Sequence, residues 1–218
     1  MEYSKKIKEL KVLQGDKLKL DWENVGNNPS KLFYKWLDIA INYEVIEPQA
    51  MVLATADTKG FITSRVLLVR HVDEESNFYF STSKANPAGE QLSENPNASL
   101  NFYWKELSQQ IIVSGRVEKC HQTDSIDDFK KRSIGSKSIC LVQKQSQLLE
   151  NIQTMHLAVE ETQKELKSNP DLINPNWSLF KVIPDKIEFF QGRKTRMHER
   201  LVFTRNSNNE WGRNFIWA

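Results

Sequence analysis

Apolar positions follow two different periods along the chain, and the change of period near residue 50 divides it. Behind an Asn28-Pro29-Ser30 start, Leu32, Phe33, Trp36, Leu37, Ala40 and Ile41 recur three and four residues apart. That spacing predicts an amphipathic helix with one buried face. From Ala50 the apolar runs become short, β-branched and aromatic, and residues 50–56, 61–71, 77–82, 98–104 and 109–119 read as strands. Turn formers such as Asp57-Thr58-Lys59-Gly60 and Asp73-Glu74-Glu75-Ser76 separate them. A short helix is expected over 87–94, and two more over 124–132 and 145–167. The last of these is amphipathic through Leu148, Leu149, Ile152, Met155 and Val159, a stripe that reads as core. Strands over 178–183, 186–191, 201–205 and 211–217 complete the pattern. Closely spaced strands with hairpin-length loops favour an antiparallel barrel or sandwich over a parallel α/β sheet, so the fold class is mainly β with peripheral helices (α+β). Residues 1–27, rich in Lys, Asp, Glu and Asn with scattered leucines, read as a mobile or partner-docked arm, and 28–218 as a single domain.

Composition narrows the function classes. With 218 residues and 39% hydrophobic content the chain can bury the core of one generous domain. Lys+Arg 30 against Asp+Glu 28 is almost balanced, which gives no global reason to expect nucleic acid or an anionic membrane as a partner. Apolar runs are broken by charge well short of the roughly 18–20 residues a membrane helix needs. Cys120 and Cys140 make no disulfide framework, and the start Met1-Glu2-Tyr3-Ser4-Lys5-Lys6 lacks a signal-type apolar run, so a cytoplasmic location is expected. His71, His121, His156 and His198 show no metal-ligand spacing with the cysteines, and no metal is expected.

Two stretches carry candidate chemistry. Arg196, His198 and Arg200 have period-two spacing after Phe189-Phe190, which on an extended backbone places them on one face, able to converge on an anion or an electron-rich ring. Taken alone, such a cluster reads as a solvated strand face. Upstream, in Ser64-Arg65-Val66-Leu67-Leu68-Val69-Arg70-His71, alternation sets Arg65 with Leu67 and Val69, and Arg70 with Val66 and Leu68. An arginine among branched aliphatics needs a carboxylate, a phosphate or water for its guanidinium.

These stretches, with the strand over 50–57, Gln110, Gln145-Ser146 and Arg196-Met197-His198-Glu199-Arg200 in order, resemble the pyridoxamine 5′-phosphate oxidase family of FMN enzymes. The resemblance runs from about Pro29 to Trp211. It implies an FMN-binding split β-barrel of antiparallel Greek-key type, and a homodimer with the flavin at the subunit interface. It implies flavin contacts from Arg65, Val66, Leu67, Leu68, Arg70, Phe80, Ser81, Lys84, Gln110, Gln145, Ser146, Phe190 and Arg200. Substrate contacts are implied for Arg70, Arg132, Ser136, Arg196 and His198, the last two being the catalytic pair. The activity implied is oxidation of pyridoxamine or pyridoxine 5′-phosphate by O2.

The sequence departs from that pattern at several positions. Ala85-Asn86-Pro87-Ala88 stands where an Arg-Lys pair is usual, leaving Lys84 as the nearby cation; Arg70 replaces a lysine, Asp128 a tyrosine and Phe190 a tryptophan; and the arm lacks an Arg-Arg-Glu-Tyr-like segment. Asp128 would repel a substrate phosphate unless the substrate lacks one or Asp128 pairs with Arg132. Tyr103–Ile112 is closer to the phenazine-biosynthesis oxidases of the same superfamily. Two enzyme readings therefore stand, with a third in which the altered 85–88 segment has cost the chain its FMN and left a binding or dimerisation module.

Overall fold

In the computed structural model, which describes residues 2–10, 12, 13, 18, 20, 22 and 24–218, eight antiparallel strands form one sheet. They are β1 (Ala50–Ala56), β2 (Ile62–Val72), β3 (Phe78–Ser83), β4 (Asn97–Trp104), β5 (Gln109–Lys119), β6 (Trp177–Gln191), β7 (Glu199–Arg205) and β8 (Trp211–Phe215). The sheet order is β3-β2-β1-β4-β5-β6-β7-β8, and β3 also pairs with β6, so the first six strands close into a barrel. Placing β4 beside β1 after the β1–β2–β3 meander is the Greek-key step. Closure leaves no free edge among those six strands, and β7–β8 project from β6 as an extension.

One strand makes this split possible. Along one edge, β6 pairs with β3 from Trp177 to Val182 and then with β7 from Lys186 to Gln191, while β5 runs along its other edge from Phe180 to Gln191. The sequence predicts two strands with a break at 184–185; the structure has one strand with a bulge there, where Gly115 faces Pro184 and Ser114 faces Lys186. Pro184 lacks an N–H, but it lies where β3 has ended and β7 has not begun, so no ladder bond is lost on that edge. Gly115 is required by close approach: a Cβ there would lie 2.1 Å from the Ile183 carbonyl oxygen.

Helices α1 (Glu2–Glu9), α2 (Pro29–Asn42), α3 (Pro87–Glu94), α4 (Gln122–Lys130), α5 (Ile134–Leu141) and α6 (Ile152–Ser168) are peripheral to the sheet, with a 3-10 turn at Lys105–Leu107. α2 starts where expected, because Asn28 accepts a hydrogen bond from the Lys31 N–H and Pro29 occupies the first turn. It inserts Phe33 and Trp36 among the interior rings of three strands. Phe33 lies 5.0 Å from Phe78 and 5.3 Å from Phe102, and Trp36 lies 5.2 Å from Phe189, all edge-on. Such pairs contribute about 0.5–1.5 kcal/mol each beyond area burial.

Three expectations need correction. The helix expected over 145–167 begins only at Ile152, because Asn151 caps it and residues 144–150 form turns with Ser146 at φ 67°. Its stripe is not core: Leu148, Leu149 and Ile152 are exposed, and Met155 and Val159 are half-buried. α5 was not anticipated. In the arm, Leu18, Leu20, Trp22 and Val25 pack against the barrel core, while the rest of that expectation falls partly outside the described residues. No helix among the described residues is long and apolar enough to cross a membrane.

Candidate active site

Arg65 is on the inward side of β2, opposite buried Leu53 of β1. Its guanidinium donates to the Leu53 carbonyl at 3.3 Å, to the Thr55 hydroxyl at 2.7 Å and to the Thr63 hydroxyl. Gln91 of α3 accepts from both threonines. Arg65 has no carboxylate among these partners, and burial pulls its pKa down from the ordinary arginine value. A half-buried cation with only hydroxyl and carbonyl partners is competent to take an anion.

The segment before α3 shows why the usual pair of cations is missing. Asn86 caps α3 by accepting from the Gly89 N–H at 2.9 Å and donates to Thr82, and Pro87 occupies the first helical turn. Residues 85–88 are thus spent on starting a helix. Lys84 is exposed at that entry, tied down by its main-chain N–H to the Asn176 carbonyl.

On the outward side of β2, a cavity of about 350 Å³ is lined by Glu47, Val66, Leu67, Leu68, Arg70, Ser81, Arg132 and Trp177. It brings together six of the residues implied by the resemblance, drawn from β2, β3 and the end of α4. Of the partners open to it from sequence, a carboxylate, a phosphate or water, Arg70 meets a carboxylate, that of Asp128. The Arg70 Nε donates to Asp128 Oδ1 at 2.9 Å, while Ser81 Oγ and Trp177 Nε1 donate to Oδ2 at 2.7 and 3.0 Å. Burial pushes the Asp128 carboxyl up, but the bonds from Trp177 and Ser81 and the Arg70 charge outweigh it and hold the group below the ordinary aspartate range. The pairing of Asp128 with Arg132 considered from the sequence does not form. Arg132 instead lies over the Trp177 ring at 4.3 Å, and its Nε is buried without a hydrogen-bond partner. Phe80 turns its ring inward against Phe180, so only its main chain is available to a ligand.

The C-terminal cluster is not a strand face. β7 begins at Glu199, and the preceding residues turn, with the Arg196 N–H bonded to the Arg193 carbonyl and Arg196 at φ 66°. The turn separates what period-two spacing would align. Arg196 is exposed, whereas His198 is half-buried 5.2 Å from the Phe190 ring, its Nδ1 accepting the Arg193 N–H at 3.0 Å. That bond leaves Nε2 to carry the proton of the neutral ring. Arg200 is committed to buried Glu188 at 2.7 Å and to the Trp217 carbonyl at 2.9 Å. In the sheet, Gln110, Phe190 and Arg200 form one cross-strand row, and Gln110 donates to Asn101.

Arg193 and Glu199 were not singled out from sequence. Arg193 holds Glu199 at 2.6 Å and the Leu18 carbonyl at 2.8 Å, and Glu199 also accepts from the Trp22 indole. This clamp ties the arm to the loop bearing Arg196 and His198. Gln145 and Ser146 line a separate cavity of about 250 Å³ with Ile139, Leu148 and Met155, and His198 lines a third with Phe215, Ile216 and Trp217. Ser136 is in the first turn of α5, bonded to Ser133. Within one chain, then, the implied residues fall into several places.

Comparison with known proteins fits this geometry. Residues 37–165 match the family model described as pyridoxamine 5′-phosphate oxidase, and 177–218 match the pyridoxine 5′-phosphate oxidase C-terminal dimerisation region. A pyridoxine/pyridoxamine 5′-phosphate oxidase of Paraburkholderia phymatum is 36% identical over 88% of this chain and 90% of its own length. One from Paraburkholderia phytofirmans is 35% identical over the same shares. Among solved structures, PhzG from Burkholderia lata, in complex with tetrahydrophenazine-1-carboxylic acid, superposes with a TM-score of 0.85 at 26% identity, covering 93% of this chain and 98% of that one. An FMN-binding protein from Nostoc punctiforme shares the fold, with a TM-score of 0.68 at 16% identity over 87% of this chain and 97% of its own. The split barrel, its extension carrying the dimerisation region, and the motifs along β2 and β6–β7 place the chain in the pyridoxamine 5′-phosphate oxidase family of flavin oxidoreductases.

Proposed function

We propose that the protein is an FMN-dependent oxidase that acts as a homodimer on a heteroaromatic substrate, with O2 as the electron acceptor. The observation that carries this reading is Arg65, a half-buried cation of β2 whose guanidinium has only hydroxyl and carbonyl partners. The donor set fits a flavin mononucleotide. Arg65, Thr55, Thr63 and Lys84 would hold its phosphate, and the main chain over Val66–Leu68, with Gln110, would meet its ring system. Bound FMN would supply the acceptor for a hydride from a carbon bearing an amine or alcohol, and would pass the electrons on to O2.

The protein's own task is position and exclusion of water. His198, fixed through Nδ1, presents an Nε2–H donor toward a substrate oxygen, and exposed Arg196 at the tip of the turn supplies positive charge. The dimer reading is supported by the matched dimerisation region and by apolar side chains exposed in one chain. These are Val52, Ile62, Val66 and Tyr103 on the barrel and, separately, Phe215 and Trp217 at the C-terminus.

Relatives at 35–36% identity carry the name pyridoxine/pyridoxamine 5′-phosphate oxidase, which supports a phosphorylated B6 vitamer as substrate. A phenazine-type substrate is favoured by Asp128, which occupies Arg70, and by the similarity to PhzG. The test is the visible spectrum of the purified protein after loading with FMN and removing what stays unbound, followed by oxygen-uptake assays with pyridoxine 5′-phosphate and with a reduced phenazine precursor. About one FMN per chain and O2 uptake with one of the two is expected. A colourless protein that retains no added FMN sinks the oxidase reading and returns the binding-module alternative.

A further inference from the structure

The cavity beside β2 is lined by two arginines in unequal states. Arg70 is bound to Asp128, whose second oxygen takes the Ser81 hydroxyl and the Trp177 indole N–H. These three donors come from β2, β3 and β6, and the carboxylate from α4, so four elements fix the network. Arg132, by contrast, has no carboxylate among its partners, keeps a buried Nε without a hydrogen bond, and has its Cζ over the Trp177 ring, 4.3 Å from the centroid. Trp177 joins the two halves, its N–H serving Asp128 and its face serving Arg132.

We propose that Asp128 is the specificity-determining residue of this cavity: it keeps Arg70, Ser81 and Trp177 on a resident carboxylate and leaves Arg132 to recognise the substrate's anion, selecting a planar heteroaromatic with one carboxylate over a phosphate ester. The inference rests on the oxidase reading for what the cavity holds. A phosphate dianion needs several donors arranged around it. Here the single N–H of Trp177, the single hydroxyl hydrogen of Ser81 and the Nε of Arg70 are already used. With Asp128 and the lining Glu47 set against Arg70 and Arg132, the cavity has no net positive charge for a dianion. A carboxylate asks less, because the planar fork of one guanidinium satisfies both of its oxygens. Arg132 lies over Trp177 and pairs with no carboxylate, so its charge remains for the anion.

The test uses the FMN-loaded full chain and calorimetric titration with two probes, pyridoxine 5′-phosphate and phenazine-1-carboxylate, on wild type, Asp128→Asn and Arg132→Gln. Asn keeps the shape at 128 but releases Arg70. Affinity for the phosphate ester is expected to rise about tenfold or more in Asp128→Asn, the worth of one charge-assisted hydrogen bond. Arg132→Gln is expected to weaken the carboxylate by a similar factor. Equal affinity of wild type and Asp128→Asn for the phosphate ester overturns the proposal, and so does carboxylate binding that ignores Arg132→Gln. If Asp128→Asn does not fold, Arg132→Gln still decides. Flavin content per chain is read before each titration: failure of the wild type to keep FMN counts against the oxidase reading, whereas the ratios between variants bear on Asp128 and Arg132.

Discussion

Replacing Gly115 by alanine should damage the fold at the point where the barrel splits. The new Cβ would lie 2.1 Å from the Ile183 carbonyl oxygen, 2.6 Å from Pro184 Cα and 2.8 Å from the Ile183 carbonyl carbon. All three are main-chain atoms, so no side chain can swing aside. A carbon approaches a carbonyl oxygen no closer than about 3.3 Å in ordinary contact, so β5 and β6 must part by about 1 Å at the bulge. Overpacking of this kind costs about 1–3 kcal/mol, and loosening one flanking ladder bond adds about 1 kcal/mol. A loss of about 3 kcal/mol lowers Tm by about 6–12 °C in a domain of this size. Thermal unfolding should be followed at fixed protein and FMN concentrations, because subunit and ligand binding both move Tm. Gly212→Ala on β8 is the control, since its Cβ would meet only the Thr204 carbonyl oxygen, at 3.9 Å. If Gly115→Ala melts within about 1 °C of Gly212→Ala, the close approach at the bulge is not what holds the two strand pairings in register.

Two further outcomes follow from the charged groups. Arg65→Met should leave the fold intact and raise the FMN dissociation constant about 10- to 100-fold, the worth of one charge-assisted hydrogen bond; an unchanged constant by fluorescence titration removes Arg65 from the phosphate site. For Glu199, burial raises the carboxyl, but hydrogen bonds from Arg193 and Trp22 and the Arg193 charge outweigh it and hold it below the ordinary value of 4.5. A depressed carboxylate contributes stability that is present above the unfolded value and is lost as pH falls through the folded one. Glu199→Gln should therefore lower the urea midpoint at pH 7, with the gap to wild type closing as pH drops below about 4.5; a gap that stays constant from pH 7 to about pH 3 would falsify the clamp.

The strands were legible because their signal is local. Alternation in 109–119 and the aromatic run at 98–104 give the period directly, and the Asn28-Pro29-Ser30 start fixes α2 within a residue. The bulge at Ser114/Gly115 was not, because a continuous β6 depends on β3 and β7 sharing one edge, a fact of tertiary pairing that Pro184 disguises as a break. The late start of α6 was hidden for a related reason. Leu148 and Leu149 continue the helical spacing of Ile152 and Met155, but Asn151 caps the helix after them, and a cap inside an apolar stripe is easily read as one more polar residue. At the site, Arg70's need for a carboxylate, a phosphate or water could be read from its apolar face, but its partner lay 58 residues away. Only the fold brings Asp128 there.

The scatter of the implied site residues in one chain is itself informative. Arg65, Arg70 and Arg132 gather around β2, Phe190, His198 and Arg200 are on the β6–β7 extension and Gln145-Ser146 is in a loop beyond α5; the cavities lined by Arg70 and Arg132, by His198 and by Gln145-Ser146 share no residue. Residues that served one ligand within one chain would be expected to line one cavity. The proposed homodimer would resolve this: the exposed apolar residues of β1–β2 and the exposed C-terminal aromatics both lack cover in the single chain, and a second copy that covered them would bring residues of two chains to one site. The matched dimerisation region, residues 177–218, contains that extension. On this account the proposed flavin site cannot exist in a monomer. Substitutions at Phe215 and Trp217, remote from the β2 cavity in sequence and in the chain, should then lower FMN retention in step with dimer content, and a monomeric variant that keeps its flavin would show that one chain suffices.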